Sequence, residues 1–186
     1  MENRTVKILD ATIISSFIYD ISSLDLFERC EKSYDFITTE VVSDEIKRTP
    51  SSMKGLRRKS GLVRPIELNE KENELLAYLS ARYPGLHSGE LSALILTASR
   101  YANGPQRYYY ITDDNLMRKS LKKIEKDPVF QEFVGNVIIS CTGTIGFLLH
   151  LCNKGIISSS ERLQIAEDLE QSTFYCSEDL LKRLKG

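Results

Sequence analysis

Short apolar segments alternate with helical segments along the whole chain, and several of the apolar segments end at an acidic side chain. Strands are predicted over Arg4–Asp10, Tyr34–Thr38, Leu62–Leu68, Arg107–Thr112 and Asn136–Ser140. Pro65 indicates a sheet edge for the third strand, because proline cannot donate to a second neighbouring strand. Strands that alternate with helices favour parallel pairing through crossover helices. The chain is therefore predicted to be an α/β protein, with three α/β/α layers around a mostly parallel central sheet.

Helical segments lie between and after these strands. Glu70–Tyr83 is amphipathic, because its leucines recur on one face, and Pro84-Gly85 ends it. Thr39 is a candidate N-cap for the helix that follows it. The other helices are predicted over Thr12–Tyr19, Leu24–Lys32, Glu40–Arg48, Ser88–Tyr101, Asn115–Lys126, Thr142–Asn153, Ser159–Gln171 and Ser177–Leu184. We expect a single domain over residues 1–186, in which residues 155–186 form a C-terminal helical extension.

The composition excludes several classes of protein. The 186 residues carry 25 Lys+Arg and 26 Asp+Glu, which argues against a strongly basic nucleic-acid coat protein but allows a local basic patch. No apolar run reaches the roughly 18 residues of a membrane span, and Met1–Asp10 lacks the apolar segment of a secretory signal. The four scattered cysteines form neither a zinc-binding spacing nor a compact disulfide framework. These features predict a cytoplasmic protein with reduced thiols and no membrane partner.

Acidic side chains recur where parallel strands should end. Asp10 follows the first strand, and Asp113 and Asp114 follow the fourth. Glu45 lies at the margin of the apolar stripe of its helix, and Glu90 heads another apolar helix. Ligands of open parallel sheets bind outside the carboxyl ends of the strands, so these groups can converge there. Structural alternatives are open: helix capping for Asp10 and for one of the two neighbouring aspartates, a favourable helix dipole for Glu90, and a solvated surface for Glu45.

These carboxylates are more informative as a set than one by one. Carboxylates that face one cleft repel each other and raise each other's pKa values unless a cation lies among them. All-oxygen ligands favour Mg²⁺ or Mn²⁺. An ion of this kind polarises a phosphoryl oxygen and activates water. The residues themselves therefore indicate metal-dependent phosphodiester chemistry.

Five segments in order carry a resemblance to a known family: Ile8–Thr12, Thr39–Ile46, His87–Leu94, Ile111–Arg118 and Thr142–Leu149. They contain, in turn, an Asp with a Thr two residues on, a helical Glu, a Gly-Glu pair, a double Asp with a following Arg, and a Gly-Thr-hydrophobic-Gly run. Together they resemble the PIN-domain family, in the branch of VapC-like toxin ribonucleases. The resemblance covers nearly the whole chain and implies a PIN-like fold.

This resemblance implies a metal-dependent endoribonuclease that hydrolyses RNA phosphodiester bonds. Four carboxylates would hold Mg²⁺ or Mn²⁺: Asp10, Glu45, Glu90 and Asp114. At the last position Asp113 is an alternative, since it lies nearer the strand end, whereas a Thr-x-Asp alignment selects Asp114. Three hydroxyl groups would orient the carboxylates or water: those of Thr12, Thr112 and Thr144. The resemblance further implies a small inhibitory antitoxin protein and a homodimer.

The chain departs from the family pattern in two respects. The third acid is Glu90 where Asp is commoner, and residues 103–109 and 122–135 form stretches longer than is typical. The alternative function is a PIN-fold module that no longer cuts and instead binds RNA or a protein. The complete acid set favours catalysis. An unrelated phosphatase or nucleotide-binding domain lacks support, because no Gly-rich phosphate loop follows the first strand.

Basic residues are concentrated between positions 47 and 64, where seven occur without any acid. Such residues contact a nucleic-acid backbone and position it without reading its sequence. The candidates for contacts with RNA are Arg57, Arg58, Lys59 and Arg118. Arg118 lies four residues after Asp114, on the same helix face, where it can hold a scissile phosphate or neutralise Asp114. The structural alternative for these side chains is a solvated surface.

The aromatic and histidine side chains carry weaker functional signals. Tyr108, Tyr109 and Tyr110 can offer a base-stacking platform, although packing in the sheet is the commoner use of such residues. His87 precedes the Gly-Glu pair, and His150 lies in an apolar helix where we expect it to be packed. Neither histidine is assigned a catalytic role.

Overall fold

Five parallel strands form the central sheet of the computed structural model, which describes residues 4–21, 25–48, 62–104 and 109–186. The strands are β1 Thr5–Leu9, β2 Tyr34–Thr39, β3 Val63–Ile66, β4 Tyr110–Ile111 and β5 Cys141–Thr142. Their spatial order is β3-β2-β1-β4-β5, so β1 lies at the centre. The predicted parallel sheet is confirmed, and β3, with its Pro65, lies at an edge as predicted.

Helices follow each strand, as the crossovers of a parallel sheet require. They are α1 Ala11–Ser15, α2 Leu26–Cys30, α3 Glu40–Arg48, α4 Glu70–Arg82, α5 Ser88–Arg100, α6 Asn115–Ile124, α7 Pro128–Val134, α8 Thr144–Asn153, α9 Ser159–Gln171 and α10 Glu178–Lys185. A π-helical turn, Ser16–Asp20, continues α1. The bounds of α3 and α9 are those predicted. Thr39 accepts a hydrogen bond from the backbone of Val42, at 3.3 Å, and so caps α3 as predicted.

The sheet separates two hydrophobic clusters because successive strand side chains point to opposite faces. Leu9 packs on one face with residues of α1, α2, α3, α8, α9 and α10. Ile8 packs on the other face with residues of α4, α5, α6 and α7. We name these the α8 side and the α5 side of the sheet. The result is the predicted three-layer α/β/α fold.

The strand predicted over Asn136–Ser140 is wrong, and the fifth strand is Cys141–Thr142 instead. Val137 and Ile139 are buried on the α5 side, but Ile138 between them is 84% exposed. The backbone N–H of Ile139 donates to Glu125 Oε1 at 2.7 Å rather than to a neighbouring strand. The apolar run therefore reflects burial of alternate side chains beside the sheet. The side chain of Glu125, and not a neighbouring strand, accepts the hydrogen bond from the backbone of Ile139.

Helix α7, in the long stretch 122–135, was not predicted from the sequence. Asp127 caps this helix by accepting hydrogen bonds from the backbone of Val129 at 3.0 Å and of Phe130 at 3.3 Å. Pro128 occupies the first helical position, where its missing N–H costs nothing. An Asp-Pro pair before an apolar run was thus the available signal.

The register of the strands brings their carboxyl ends to one edge. Ile8 pairs with both Ile37 and Tyr110, and Leu9 pairs with Ile111. Ile111 in turn pairs with Thr142 of β5. Residues that directly follow β1, β4 and β5 are therefore neighbours, and the candidate site lies at this edge.

Candidate active site

Asp10 is the buried centre of this edge. It directly follows β1 and is only 1% exposed. Its Oδ1 caps α1, accepting hydrogen bonds from Thr12 Oγ1 at 2.7 Å and from the backbone of Ile13 at 3.0 Å. Its Oδ2 is buried and has no hydrogen-bond partner within the described ranges. Asp10 is therefore a helix cap, one of the two roles considered for it, but capping uses only one of its two oxygens.

The surroundings of Asp10 disfavour its charged form. Burial raises the pKa of its carboxyl group to about 6, although the nearby hydroxyls of Thr112 and Thr12 and the backbone of Ile13 lower it. The neighbouring carboxylate of Asp113 raises it further. A buried carboxylate with one oxygen that lacks a hydrogen bond is stabilised by a proton or a cation more strongly than an exposed carboxylate is.

Glu90 lies in the first turn of α5 and faces the same acids. Its Oε2 accepts a hydrogen bond from the backbone N–H of His87, at 3.1 Å. Burial raises the pKa of Glu90 to about 7; the contacts with His87 lower it, whereas the carboxylates of Asp114 and Asp10 raise it. Glu90 therefore accepts a capping hydrogen bond at the start of α5, and it is also repelled by the neighbouring carboxylates. The structure places Glu90 in the electrostatic neighbourhood of both Asp10 and Asp114.

Glu45 reaches this neighbourhood from α3. Its side chain is exposed, while Val42 and Ile46 beside it are buried, as predicted for the margin of an apolar stripe. A Cβ at Gly89 would lie 2.6 Å from Glu45 Oε2. The carboxylate of Glu45 therefore lies against the residue that precedes Glu90.

Contacts between polar side chains hold α3 and α5 together at this point. The hydroxyls of Thr39 and Ser92 are 2.6 Å apart, and Ser92 Oγ also donates to the carbonyl of Gly89 at 2.6 Å. Thr39 ends β2 and caps α3, so one hydroxyl connects the sheet, α3 and α5. This buried connection joins the start of α3, the helix that carries Glu45, to the first turns of α5, which carry Glu90.

Asp113 and Asp114 have different partners. Asp113 accepts hydrogen bonds from both the backbone of Thr144, at 2.9 Å, and the Thr144 hydroxyl. Burial raises the pKa of Asp113, whereas the contacts with Thr144 and the charge of Arg118 lower it. Asp114 is the N-cap of α6 and accepts from the backbone of Met117. Capping, the structural alternative for one aspartate of the pair, is thus observed for Asp114, and the choice of Asp114 as metal ligand, with Asp113 as the alternative, stays a prediction.

The loop before α8 is shaped to receive Asp113. A Cβ at Gly143 would lie 2.3 Å from Asp113 Oδ1, so a larger residue there would displace the carboxylate. In the sequence, Gly143 stood out only as part of a motif, and this contact was not predicted. The sequence signal for it is the pair Gly143-Thr144. Gly143 has no side chain to obstruct the carboxylate, and Thr144 supplies two donors, its backbone N–H and its hydroxyl.

Each of the three predicted positioning threonines contacts this acidic edge. Thr12 donates to Asp10, and Thr144 donates to Asp113. Thr112 Oγ1 accepts from the backbone of Asp114 at 3.1 Å and lies beside Asp10. Their contacts agree with the predicted orienting role, which itself stays a prediction.

Asp10, Glu90, Asp113 and Asp114 are close enough for some of them to influence each other, but the acids do not form a ready ligand set. Over the described ranges, no group of three or more His, Cys, Asp or Glu side chains is positioned to hold a metal ion. The donor chemistry nevertheless fits a hard cation, because every group is a carboxylate. The buried, unpartnered Oδ2 of Asp10 is the observation that fits best.

Of the four basic residues predicted to contact RNA, Arg118 lies in the described part of the chain. Arg57, Arg58 and Lys59 lie outside the described residues. Arg118 is exposed on α6, and its charge lowers the pKa of Asp113 and of Cys141. The structure thus places the charge of Arg118 near Asp113, and its predicted roles toward a phosphate or Asp114 stay predictions.

The tyrosine run is part of the core where it is described. Tyr109 is 7% exposed and Tyr110 is fully buried, while Tyr108 lies outside the described residues. The Tyr110 hydroxyl donates to the carbonyl of Glu90 at 3.2 Å, which ties β4 to the start of α5. Packing rather than base stacking is the observed use of these two rings.

The two histidines have different surroundings. His87 contributes its backbone to the contact with Glu90. His150 is part-buried, and its Nε2 lies 2.9 Å from the Tyr34 hydroxyl on the α8 side.

The helices in the described ranges include none with both the length and the apolar character of a membrane-spanning segment.

Comparison with known proteins gives one match. A family model described as a PIN domain matches residues 6–185, which is almost the whole chain. The match includes β1 with Asp10 at one end and α9 and α10 at the other. No curated protein and no solved structure in the comparisons matches the chain.

Proposed function

This chain belongs to the PIN-domain family, whose members are generally nucleases, and on that premise we propose that it is a metal-dependent endoribonuclease acting on RNA phosphodiester bonds. The observation that carries the proposal is the state of Asp10. A 1% exposed carboxylate with an unpartnered oxygen and a raised pKa lies beside further acids at the carboxyl edge of the sheet. A purely structural cap has no need of such neighbours.

The carboxylates of Asp10, Glu45, Glu90 and one of Asp113 and Asp114 would hold Mg²⁺ or Mn²⁺. When bound, such an ion polarises a phosphoryl oxygen and makes water a better nucleophile. Support for this assignment is the all-oxygen donor set and the mutual repulsion of the acids. A cation removes that repulsion and satisfies the free oxygen of Asp10.

The residues around the acids would supply position rather than chemistry. Thr12 and Thr144 hold Asp10 and Asp113 by hydrogen bonds, which restricts the directions in which the carboxylates point. Near neutral pH and without a cation, the carboxyl group of Glu90 retains a proton in part of the molecules. Glu90 would have to lose that proton before its carboxylate could hold a cation.

The RNA would approach through positive charge outside the acidic edge. Arg118 is exposed beside Asp113, at a place where a phosphate would meet it. The run Arg57-Arg58-Lys59 would add sequence-independent contacts with the backbone. An antitoxin partner, a homodimer and a cytoplasmic location are parts of the proposal that rest on the resemblance of the motifs.

The test is cleavage of a structured RNA pool by the purified chain with Mg²⁺, with Mn²⁺ and with EDTA. Asp10→Asn is the informative variant, and Asp35→Asn, a surface acid paired with Arg64, is its matched control. We expect cutting that needs the metal, persists in the control and is lost in Asp10→Asn.

Two outcomes would contradict the proposal. Equal cutting by Asp10→Asn would remove the acidic edge from the reaction. RNA binding without cutting under any metal would instead favour the non-cleaving binding module.

A further inference from the structure

A second group of charged side chains lies away from the acidic edge, in a cavity on the α8 side of the sheet. The cavity has a volume of about 540 Å³. It is lined by residues of β1, β5, α8 and α10. None of the acids of the candidate active site is among its lining residues. The cavity is therefore separate from the proposed nuclease site.

Lys7 is the most unusual residue of this cavity. It lies in the middle of the central strand and is only 4% exposed, although lysine is rarely buried to this extent. Its Nζ lies 5.9 Å from the centre of the Tyr34 ring, within reach of a cation–π interaction. Burial lowers the pKa of Lys7 to about 8. Lys7 therefore keeps most of its positive charge at pH 7, inside the protein.

The remaining charged and titratable groups of the cavity are also basic. Arg183 reaches it from α10, and His150 from α8. Among the described residues that line the cavity, none is acidic. Burial lowers the pKa of His150, and so do the positive charges of Lys7 and Lys154. The charged and titratable side chains that line the cavity are therefore all basic.

The other walls would suit the uncharged part of a ligand. Phe147 and Leu149 supply apolar surface, and Thr142 and Asn153 supply hydrogen-bonding groups. The Phe147 and His150 rings are nearly parallel, with centroids 6.4 Å apart. A volume of several hundred Å³ with apolar walls and a few convergent polar groups is typical of small-molecule sites.

We infer that this cavity binds a small organic phosphate of the size and chemistry of a nucleoside monophosphate. Lys7 and Arg183 bind the phosphoryl oxygens, and the organic part packs against Phe147 and Leu149. A phosphate monoester is favoured over a carboxylate because its second charge matches more than one cation.

The experiment is isothermal titration calorimetry of the full chain with adenosine monophosphate, inorganic phosphate and adenosine, in EDTA at constant ionic strength. Lys7→Met and Arg183→Met remove the two cations and keep much of their apolar length. Lys182→Met is the matched control, since Lys182 is the neighbour of Arg183 on α10 and its side chain is 72% exposed. Asp10→Asn tests whether the acidic edge takes part.

We expect saturable binding of adenosine monophosphate to the wild type, weaker binding of phosphate alone and none of adenosine. Lys7→Met and Arg183→Met should each weaken the binding at least about tenfold, while Lys182→Met and Asp10→Asn leave it within about twofold. Melting curves establish that the variants fold. If Lys7→Met does not fold, Arg183→Met, at an exposed position on α10, tests the inference alone.

Three results would overturn the inference. The first is no saturable binding of adenosine monophosphate to the wild type. The second is equal weakening by Lys182→Met, which would indicate unspecific attraction between charges. The third is binding of adenosine as strong as that of its monophosphate.

Discussion

Two carboxylates in this protein are almost inaccessible to solvent and have different partners. Asp10 and Glu72 are each 1% exposed. Both oxygens of Glu72 accept hydrogen bonds: Oε1 from Ser99 Oγ at 2.6 Å and Arg100 Nε at 2.9 Å, and Oε2 from the backbone of Asn69 at 2.8 Å. Asp10 uses only Oδ1, and its Oδ2 has no partner in the part of the chain that the structure describes.

The titration of the two groups follows from this difference. Burial raises the pKa of Glu72, but the hydrogen bonds from Arg100, Ser99 and Asn69 outweigh it, so the pKa is lowered. At Asp10 burial prevails and the pKa is raised to about 6. Glu72 thus joins α4 to α5 as an ion pair with Arg100, whereas Asp10 has no such basic hydrogen-bond partner in the described part of the chain. Low exposure to solvent therefore does not by itself predict the direction of the pKa shift; the strength of the hydrogen-bond partners, above all Arg100 at Glu72, also contributes.

The largest expected effect is on RNA cleavage by Asp10→Asn. We expect a loss of at least about a thousandfold, since groups that merely orient metal ligands already cost about 10–100-fold. Glu72→Gln should cleave RNA at the wild-type rate per folded molecule. Initial rates at saturating Mg²⁺ measure both variants. Similar losses of cleavage in the two would show that Asp10→Asn acts by disturbing the fold and not by removing a group from the reaction.

The second effect is the pH dependence of stability in EDTA. Because the folded-state pKa of Asp10 is raised from 3.8 to about 6, its ionisation destabilises the fold as pH rises through that window. Asp10→Asn should therefore be more stable than the wild type at pH 8, by up to about 3 kcal/mol, which corresponds to two pKa units.

At pH 4, below most of that window, the same difference should nearly vanish. Urea unfolding at the two pH values measures it, with Asp35→Asn, at an acid on the surface, as the matched control. A constant difference across pH would refute the raised pKa.

The third effect is the stability cost of Glu72→Gln. Removing this charge leaves Arg100 without its partner, and we expect a loss of about 2 kcal/mol, less than the roughly 3–5 kcal/mol of fully buried pairs because Arg100 is partly exposed. Urea unfolding at pH 7 measures the loss. Glu70→Gln on the exposed face of α4 is the matched control and should cost little.

The smallest effect is expected from Thr144→Val, which removes the hydroxyl that binds Asp113 but keeps the backbone donor. We expect cleavage to fall about tenfold, as for other groups that orient ligands. Thr144→Ser should restore most of the rate. Thr97→Val, at a buried threonine whose hydroxyl binds the Ala93 carbonyl within α5, controls for a general loss of packing. Unchanged cleavage by Thr144→Val would show that Asp113 needs no orientation.

Much of the architecture could be predicted from the chain alone. Apolar runs that end at Asp10 and before Asp113, and helices with clear stop signals such as Pro84-Gly85, are local patterns that predict elements present in the structure.

The wrong strand prediction over Asn136–Ser140 also came from a local pattern. Val137, Ile138 and Ile139 form an apolar run, yet Glu125 rather than a strand satisfies the backbone there. Periodicity reports which side chains are buried, not which group accepts a hydrogen bond from the backbone.

The amino-acid sequence by itself determined the fold class, the family and the identities of the acids at the strand ends. Only the tertiary structure decided that Asp10 is buried with one free oxygen, that Gly143 admits Asp113, and that Lys7 and Arg183 meet in one cavity. Each of these depends on contacts between residues far apart in the chain. Burial and hydrogen-bond satisfaction are properties of the packed molecule, and these properties separate Asp10 from Glu72.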